Sequence, residues 1–321
     1  MTGRTGRAAP KALAALAALA VLAVAAGCAT PGTARRAPAA HSPRAAVARQ
    51  GPATAAASCD PYTSSLAPNG PASVTPGSFA ETIRKRGYLI AGVDQSTYHF
   101  GFQNPIDNKL EGFDIDMVDA VSQAIFGPGY QSHIEFKAIP DSGRIPALQT
   151  GAVDIVAHTM TITCDRLQQI DFSSVYYSAK AELLVLKSSA ARSLAGLKGQ
   201  KVCATKGSDD PAIIARYGAV PVQTVYWTDC LVDLQQGQVA GVVTDDSILH
   251  GLAAQDPFTK VIPRGLENEP YGLGIARSHP DFVRFVNAVI AQMESDGQWE
   301  KSYAKWVGGP AQPPPPLRYA P

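Results

Sequence analysis

The feature that most constrains the fold of this 321-residue chain is a regular alternation of strand-like and helix-like segments from about residue 79 to 306. Six segments form the first series: SFAETIRKRG, YLIAGV, GFDIDMVDAVSQAIFG, HIEFKAI, RIPALQTG and VDIVAHTMTI. In the first helix, Ser78 with Glu81 predicts an N-terminal capping box, and Gly87 predicts the helix end. The βαβαβ order that follows predicts a parallel sheet covered by helices.

A second series begins after the strand pattern AELLVLK, which leaves the first series. It consists of SLAGLKGQKVCAT, GSDDPAIIARYG, PVQTVYW, TDCLVDLQQGQ, VAGVVTDDSILHGLAAQ and KVIP. The strand PYGLGIAR then returns, and two helices within DFVRFVNAVIAQMESDGQWEKSYAKWVG close the fold. The prediction is an α/β fold with two lobes, residues 77–181 with 273–309 and residues 182–272. Ligands of such sheets bind at the carboxyl ends of the strands, so we expect a site between the lobes.

The N-terminus has the pattern of an export signal. Three basic residues, Arg4, Arg7 and Lys11, precede the apolar run ALAALAALAVLAVAAGC, which is too short and too rich in alanine for a comfortable membrane span. Ala25-Ala26-Gly27-Cys28 resembles a lipobox, although Ala25 stands where that pattern usually has leucine. We therefore expect residues 1–28 to be a lipoprotein signal peptide with Cys28 as the lipidated N-terminus. The alternative is plain secretion after cleavage at an Ala-x-Ala site.

Both flanks of the alternating region differ from it in composition. Residues 29–76 are dominated by Ala, Pro, Ser, Thr and Gly and are predicted to be a disordered tether. The end, GGPAQPPPPLRYAP, is rich in proline, so residues 310–321 should leave the domain as an extended tail. The formal net charge of +1 gives no indication of a nucleic-acid partner.

Five cysteines occur in this exported chain, and removal of the lipidation candidate leaves an even set. Cys59, Cys164, Cys203 and Cys230 then predict two disulfides, with three possible connectivities. The pairing Cys203–Cys230 is preferred because both lie in one alternating stretch, which leaves Cys59–Cys164. No ligand spacing for zinc is present in the sequence, and neither a metal nor a cofactor is expected.

Several motifs, taken in order, are similar to those of the family-3 solute-binding proteins for polar amino acids. The motifs are EGFDIDMVDAVS, IPALQTGAVDIV, TITCDRLQQIDFS, YYSAKAELLV, VCATKGS, VVTDDSIL, EPYGLGI and DGQWEKSYAKW. The chain most resembles glutamine- and glutamate-binding lipoproteins of high-GC Gram-positive bacteria. The stretches CDP, WTDCLVDLQQ, LAAQDP and the terminal GP, PP and RY resemble the subgroup associated with a serine/threonine protein kinase.

This resemblance implies a two-lobed clamp of the type II periplasmic-binding-protein kind. It also implies a monomer, held by lipid on the outer face of the cell membrane, that binds a free amino acid and has no catalytic function. Its membrane partner would be a permease or a sensory protein linked to the kinase.

The resemblance assigns roles to individual residues. Arg166 would hold the α-carboxylate of the ligand, since a planar fork of donors matches a carboxylate bidentately. Thr161 would donate to the same carboxylate. On the other lobe, Thr244 and Asp245 would receive the α-ammonium, with Asp246 the less favoured neighbour. Further ligand contacts are expected from Asp94 and from Gly207 and Ser208, whose backbone N–H groups would favour an anion.

The side-chain pocket departs from the glutamine-binding pattern. The aromatic ring is shifted to Tyr98 or left to Phe100, and Arg144 and Lys206 stand near the expected cleft. A second ligand carboxylate would need such cations, because an unpaired buried charge is costly. This favours aspartate or glutamate over glutamine or asparagine.

Each role has a structural alternative. Arg144 could be solvated at the cleft edge, and Arg166 could pair with Asp171 at the surface. The pair Asp245-Asp246 could cap the following helix. An enzyme of the cyclohexadienyl dehydratase type is the alternative function, and Glu182 is then the candidate general acid.

Overall fold

The computed structural model describes residues 59–308 and 312–320. The predicted signal peptide with Cys28, the tether up to residue 58, and tail residues 309–311 and 321 lie outside the described residues.

Helices and strands alternate in the predicted order. The helices of the described part are α1 Phe79–Arg86, α2 Phe113–Phe126, α3 Arg144–Gln149, α4 Cys164–Leu167, α5 Asp210–Arg216, α6 Trp227–Gln235, α7 Asp246–Gln255, α8 Pro280–Ser295 and α9 Gln298–Trp306. The strands of the first half are β1 Leu89–Val93, β2 Ser96–Thr97, β3 Gly101–Gln103, β4 Leu110–Glu111, β5 Ile134–Ala138, β6 Ile155–Ala157 and β7 Asp171–Phe172. Those of the second half are β8 Tyr177–Leu186, β9 Lys201–Thr205, β10 Val220–Thr224, β11 Gly241–Asp245, β12 Thr259–Ile262, β13 Asn268–Tyr271 and β14 Gly274–Ile275.

Two sheets define two lobes, as predicted. Lobe 1 is built on the sheet β5-β1-β6-β14-β7, and lobe 2 on the sheet β10-β9-β11-β8-β12. The strands joined by helices are parallel, namely β1 with β5 and β6, and β9 with β10 and β11. By contrast, β14 and β8 are antiparallel to their neighbours. The sheets are therefore mixed rather than parallel, because only a crossover helix returns the chain in the same direction.

The chain crosses between the lobes in β8 and again between β13 and β14. The first half of β8 pairs with β13, and its second half pairs with β11 and β12 in lobe 2. The strand predicted over VDIVAHTMTI is shorter than expected and ends at Ala157. Thr159 has a φ of 42°, which a strand cannot accommodate. The residues after this break enter the cleft instead of the sheet.

The first helix begins and ends as predicted, but the second bond of the predicted capping box is not formed, because the Glu81 side chain accepts from the backbone N–H of Gly77 at 2.8 Å. The Ser78 side chain accepts a hydrogen bond from the backbone N–H of Glu81 at 3.1 Å, and Gly87 ends the helix with a φ of 96°. None of the helices in the described ranges is long and apolar enough to cross a membrane.

The N-terminal segment 59–76 packs on lobe 1, so the predicted tether is too long at this end. The hydroxyl of the buried Ser65 donates to the carbonyl of Phe172 at 2.8 Å and accepts from Asn287 at 2.7 Å. A disulfide joins Cys59 to Cys164, and a second joins Cys203 to Cys230, so the preferred connectivity is confirmed.

The proline-rich tail also differs from its prediction. Residues 312–320 do not leave the domain: Pro315 is buried, and Leu317 packs against the core of lobe 1. The backbone N–H of Ala320 donates to the carbonyl of Ser65 at 2.7 Å. A proline run lacks hydrogen bonds of its own, but its apolar rings are well suited to burial against other residues.

Candidate functional site

Residues from both lobes meet in a small cavity at the cleft. Its volume is only about 10 Å³, so the lobes are closed on one another. Of the residues singled out in the sequence, six line it: Arg144, Thr161, Arg166, Ser208, Thr244 and Asp245. The cavity lies where the strands β6 and β11 end, as expected for sheets of this kind.

Arg166 lies at the start of α4, in the loop that follows β6. Thr163 caps this helix by accepting from the backbone N–H of Arg166, and the disulfide of Cys164 fixes its first residue. The guanidinium donates to the carbonyl of Thr161 at 2.6 Å and, across the cleft, to that of Gly207 at 3.2 Å. The alternative pairing with Asp171 does not occur, because Asp171 faces Arg277 instead.

Arg166 also has a charged partner across the cleft. Its Nη2 atom lies 3.2 Å from Oδ1 of Asp209, which belongs to lobe 2 and is partly exposed. The guanidinium is therefore buried in the closed cleft while its ion-pair partner is still within reach of solvent.

Arg144 is also buried, with 3% of its surface exposed, so it is not a solvated residue at the cleft edge. Its guanidinium lies 2.9 Å from Oδ1 of Asp141 and donates to the carbonyls of His158 at 3.0 Å and Gly207 at 3.2 Å. Burial opposes ionisation of Asp141, but Arg144 and His158 more than offset it and hold the pKa of Asp141 below its usual range. The charge of Arg144 is thus already balanced within the protein.

Asp141 also links the two lobes. Its second carboxylate oxygen accepts a short hydrogen bond from the hydroxyl of Thr205, at the end of β9 in lobe 2. Both side chains are buried. This contact and the two arginine contacts to Gly207 join the lobes directly.

Asp245 lies opposite Arg166, at the end of β11. Its carboxylate accepts from the hydroxyl of Tyr271 at 2.5 Å. Asp246 does not line the cavity; it accepts from the backbone N–H groups of Ser247 at 2.8 Å and Lys180 at 3.2 Å. The two adjacent acids therefore have different roles. Asp245 faces the cleft, and Asp246 accepts hydrogen bonds at the start of α7.

Three buried carboxyl groups are crowded around this side of the cleft. Burial raises the pKa of Asp210, with Asp209 and Glu269 adding to the effect. Burial, followed by the charge of Asp210, raises the pKa of Asp245 well above its usual range. Burial and the charges of Asp209 and Asp245 raise the pKa of Glu269 to about 10. A bound cation would relieve this repulsion, and it would favour the ionised form of these groups.

The segment that follows β9 contributes differently from its prediction. Gly207 has a φ of 97° and lies against lobe 1, where a Cβ atom would come within 2.5 Å of Ser142 Cα. It presents its carbonyl, not its N–H, to the two arginines. Lys206 is exposed and does not line the cavity. The loop therefore contacts lobe 1 as a hydrogen-bond acceptor, because the carbonyl of Gly207 accepts from both arginines.

Two further predicted residues, Asp94 and Tyr98, also lie outside the cavity. The buried carboxylate of Asp94 is used within its own turn, where it accepts from the backbone N–H groups of Gln95 at 2.6 Å and Ser96 at 3.0 Å. Tyr98 packs on His99 and Phe102 and touches Gly251 of α7. The turn after β1 therefore uses the carboxylate of Asp94 internally, and Tyr98 contacts lobe 2 outside the cavity.

Sequence reasoning missed six residues that line the cavity: Asp141, Thr159, Asp209, Asp210, Trp227 and Ile248. Asp141 stands three residues before Arg144, a spacing that would have predicted their ion pair. The two acids follow Ser208 at the start of α5. An unused polar group is also present, since the buried hydroxyl of Thr244 has no hydrogen-bond partner within the described ranges. A ligand in the cavity would supply one.

The chain belongs to the bacterial extracellular solute-binding proteins, family 3, whose model matches residues 89–309. It is 33% identical to the ABC transporter glutamine-binding protein of Bacillus subtilis over 70% of this chain and 83% of the relative. It is 25% identical to the glutamate/aspartate import solute-binding protein of Salmonella typhimurium, over 74% of this chain and 82% of that one. The predicted membership of the polar amino acid group is confirmed.

Solved structures agree on the fold. An ancestral amino acid-binding protein, a precursor of cyclohexadienyl dehydratase, superposes with a TM-score of 0.65 and 31% identity, over 71% of this chain and 99% of that one. The two-lobed clamp predicted from the sequence is therefore confirmed. Both relatives are binding proteins, and the family as a whole is one of extracellular solute-binding proteins.

Proposed function

We propose that this protein binds a free α-amino acid with a short polar side chain, with an amide preferred over an acid. The observation that carries the proposal is the placement of Arg166 and Asp245 on opposite sides of one small cavity, each from a different lobe. A guanidinium matches the α-carboxylate and a carboxylate matches the α-ammonium, so the two charged groups of a zwitterion would bridge the lobes. Thr161, Ser208 and Thr244 supply further polar atoms.

The charge balance of the cavity favours glutamine or asparagine over glutamate or aspartate. The sequence argument for an acidic ligand rested on Arg144 and Lys206. Arg144 is paired with Asp141 at 2.9 Å, and Lys206 is exposed. An acidic side chain would meet Asp141 as well as Arg144, whereas a carboxamide could accept from one and donate to the other. The glutamine-binding relative from Bacillus subtilis is also more similar than the glutamate/aspartate one.

Glu182, the general acid nominated for the alternative enzymatic function, is not at the site. Glu182 is buried on β8 and lines a different cavity, together with Tyr177 and Trp299. It does not line the cleft between the lobes. A general acid must be within hydrogen-bond reach of the reacting group, so we propose binding and not turnover.

Closure of the lobes would carry the signal of binding to a membrane partner. Only the closed arrangement brings Arg166 and Asp245 to the same ligand, so the ligand would shift the population towards that arrangement. We propose that Cys28 carries the lipid anchor and that the partner is a permease or a kinase-linked sensory protein. The relatives support the permease, and the flanking motifs support the sensor.

A thermal-shift screen tests the binding proposal. Glutamine, asparagine, glutamate and aspartate are each added to the purified protein, with leucine as an apolar control. A ligand at 100 times its Kd should add about 2.7 kcal/mol to the free energy of unfolding. We expect the two amides to raise the melting temperature most, and leucine not to change it. Equal shifts for leucine and glutamine would contradict the proposed site.

A transport assay separates the two partners. Deletion of the gene is followed by uptake of labelled glutamine and by phosphorylation of the kinase substrates. Loss of uptake supports the permease, and loss of the phosphorylation response at normal uptake supports the sensor.

A further inference from the structure

The proline-rich tail and an aromatic surface of lobe 1 border the same cavity. Residues 313–316 line a cavity of about 510 Å³ together with Tyr177, Trp299 and Tyr303. Trp299 and Tyr303 stack with their ring centres 5.1 Å apart, and Tyr177 lies 6.3 Å from Tyr303. Aromatic surfaces of this kind accept extended proline segments, whose backbone is already ordered before binding.

The end of the tail is held by specific contacts. Leu317 packs against the core of lobe 1. The backbone of Ala320 pairs with Ser65 at 2.7 Å. The tail is thus seated at both its proline run and its terminal residues, a pattern that a chance surface contact would not give.

The tail surface connects to the amino-acid cleft through two rings. Tyr177, which lines the tail cavity, packs on Tyr271 with 5.4 Å between the ring centres. The hydroxyl of Tyr271 in turn donates to Asp245 at 2.5 Å and contacts the hydroxyl of Ser247 at 2.7 Å. Both rings are buried. A continuous set of packed groups therefore runs from the tail to the acid that faces Arg166.

The tail cavity is also lined by residues of β8, the strand that crosses between the lobes, and by a residue of lobe 2. Ser178, Lys180 and Glu182 lie on one face of β8, and Asp246 begins α7 directly after Asp245. A rotation of the lobes changes the relative position of these walls. The cavity seen here belongs to the closed arrangement, in which Gly207 touches Ser142.

We propose that the C-terminal segment 312–320 is an intramolecular ligand of this aromatic surface, and that its docking strengthens binding of the amino acid by holding Tyr177, Tyr271 and Asp245 in place. The coupling rests on the proposed amino-acid binding, whereas docking of the tail can be measured without an amino acid. Docking of the tail orders the ring pair in advance, so the amino acid has less to order when it binds.

The test removes the tail and then returns it in trans. The full-length chain is compared by calorimetry with a chain that ends after Gly308, with glutamine as the ligand. We expect the truncated chain to bind glutamine about 5- to 10-fold more weakly, within the range of a typical coupling between two sites. A synthetic peptide of residues 310–321, added at saturation, should restore the lost affinity. An unchanged Kd after truncation would overturn the coupling.

A point variant with a matched control tests the docking of the tail in the full-length chain. Pro315→Asp places a charge on the buried proline and should reduce glutamine affinity by the same factor as truncation. Pro128→Asp makes the same change at an exposed proline of lobe 1 that does not line the tail cavity, and this variant should bind glutamine like the wild type. Equal effects of the two variants would contradict the seated arrangement.

Reciprocity separates failure of this inference from failure of the proposed function. Saturating glutamine should strengthen binding of the peptide to the truncated chain by the factor that the peptide gives to glutamine. If the full-length chain binds no amino acid, the proposed function fails, while binding of the peptide to the truncated chain can still be measured by calorimetry. If glutamine binds and the peptide does not, only the tail inference fails.

Discussion

Arg144 and Arg166 lie in the same cleft, are both buried, and both donate to the carbonyl of Gly207 across the lobes. They differ in the partner of their charge. Arg144 forms an ion pair with the buried Asp141, which also accepts a hydrogen bond from Thr205 of lobe 2. Arg166 faces the cavity and the partly exposed Asp209.

This difference separates two tasks that look the same in the sequence. A buried cation with a buried partner in its own lobe stabilises one arrangement of the cleft, and an incoming anion gains little from it. A cation whose partner lies at the rim can exchange that partner for a ligand. We therefore expect Arg166 to bind the ligand and Arg144 to position the lobes.

The largest effect is expected for Arg166→Met. The substitution keeps the side-chain volume similar and removes the charged contact proposed for the α-carboxylate. Loss of one member of a buried charge pair typically costs about 2–5 kcal/mol, so affinity for every amino acid should fall by roughly 100-fold or more. Calorimetric titration with glutamine and glutamate measures it. Binding of either amino acid within threefold of the wild type would show that Arg166 is not the carboxylate site.

A smaller effect is expected for Asp141→Asn. The substitution leaves the charge of Arg144 unpaired, which should cost about 3 kcal/mol of folding stability and make the cleft attractive to a second carboxylate. The ratio of glutamate to glutamine affinity should therefore rise by about tenfold. Denaturant unfolding measures the loss of folding stability, and titrations with glutamate and glutamine measure the ratio of the two affinities.

Thr205→Val is the control for Asp141. It removes the hydrogen bond to Asp141 without altering any charge, so the ratio of the two affinities should not change. An unaltered ratio in Asp141→Asn, or a wild-type protein that prefers glutamate, would contradict the role given to Asp141.

The pH dependence of binding tests the acidic side of the cleft. The pKa values of Asp210, Asp245 and Glu269 are raised by burial first and by neighbouring carboxylates second, and that of Glu269 reaches about 10. An ammonium pairs with the ionised forms, so binding should release protons and affinity should rise as the pH rises from about 5.5 to 8.5.

The folding stability of the ligand-free protein should fall as the pH rises, whereas the affinity for the ligand should increase. Groups with raised folded pKa values contribute stability that is fully present below their unfolded values and is lost as the pH rises through the folded ones. For Glu269 that window extends from its ordinary value of 4.5 up to about 10. Titrations in buffers of different ionisation enthalpy count the released protons. Uptake of protons on binding would contradict this account.

The smallest effect is expected for Lys206→Ala. The side chain is exposed and lies outside the cavity, so glutamine and glutamate affinities should stay within twofold of the wild type. A selective loss of glutamate affinity would restore Lys206 as a partner of an acidic ligand, and it would weaken the distinction drawn between the two arginines.

The sequence was most informative where a structure depends on near neighbours. The cap at Ser78 and the helix end at Gly87 depend on groups within a few residues, and both are confirmed. The disulfide pairing followed from the even set of cysteines and the alternating segments around them. The order of elements came from apolar spacing, which the buried faces of the helices and strands impose directly.

The sequence was least informative where a charge has a choice of partners. Asp94 follows a buried strand, as a ligand-binding acid would, but its carboxylate accepts from the backbone N–H groups of its own turn.

The sheet of each lobe was predicted to be parallel and is mixed. The strands that cross between the lobes return without a helix, so they pair antiparallel with their neighbours. Neither competition is visible in local spacing.

The sequence by itself therefore determined the alternating α/β order, the two-lobed clamp, the two disulfides and the family of this protein. Only the tertiary structure decided that Arg144 is balanced by Asp141, that Lys206 is outside the cleft, and that the proline-rich tail lies against lobe 1. The physical reason is range. Helices, strands and caps are set by groups a few residues apart, whereas ion pairing and docking depend on distances of about 4 Å between groups far apart in the chain.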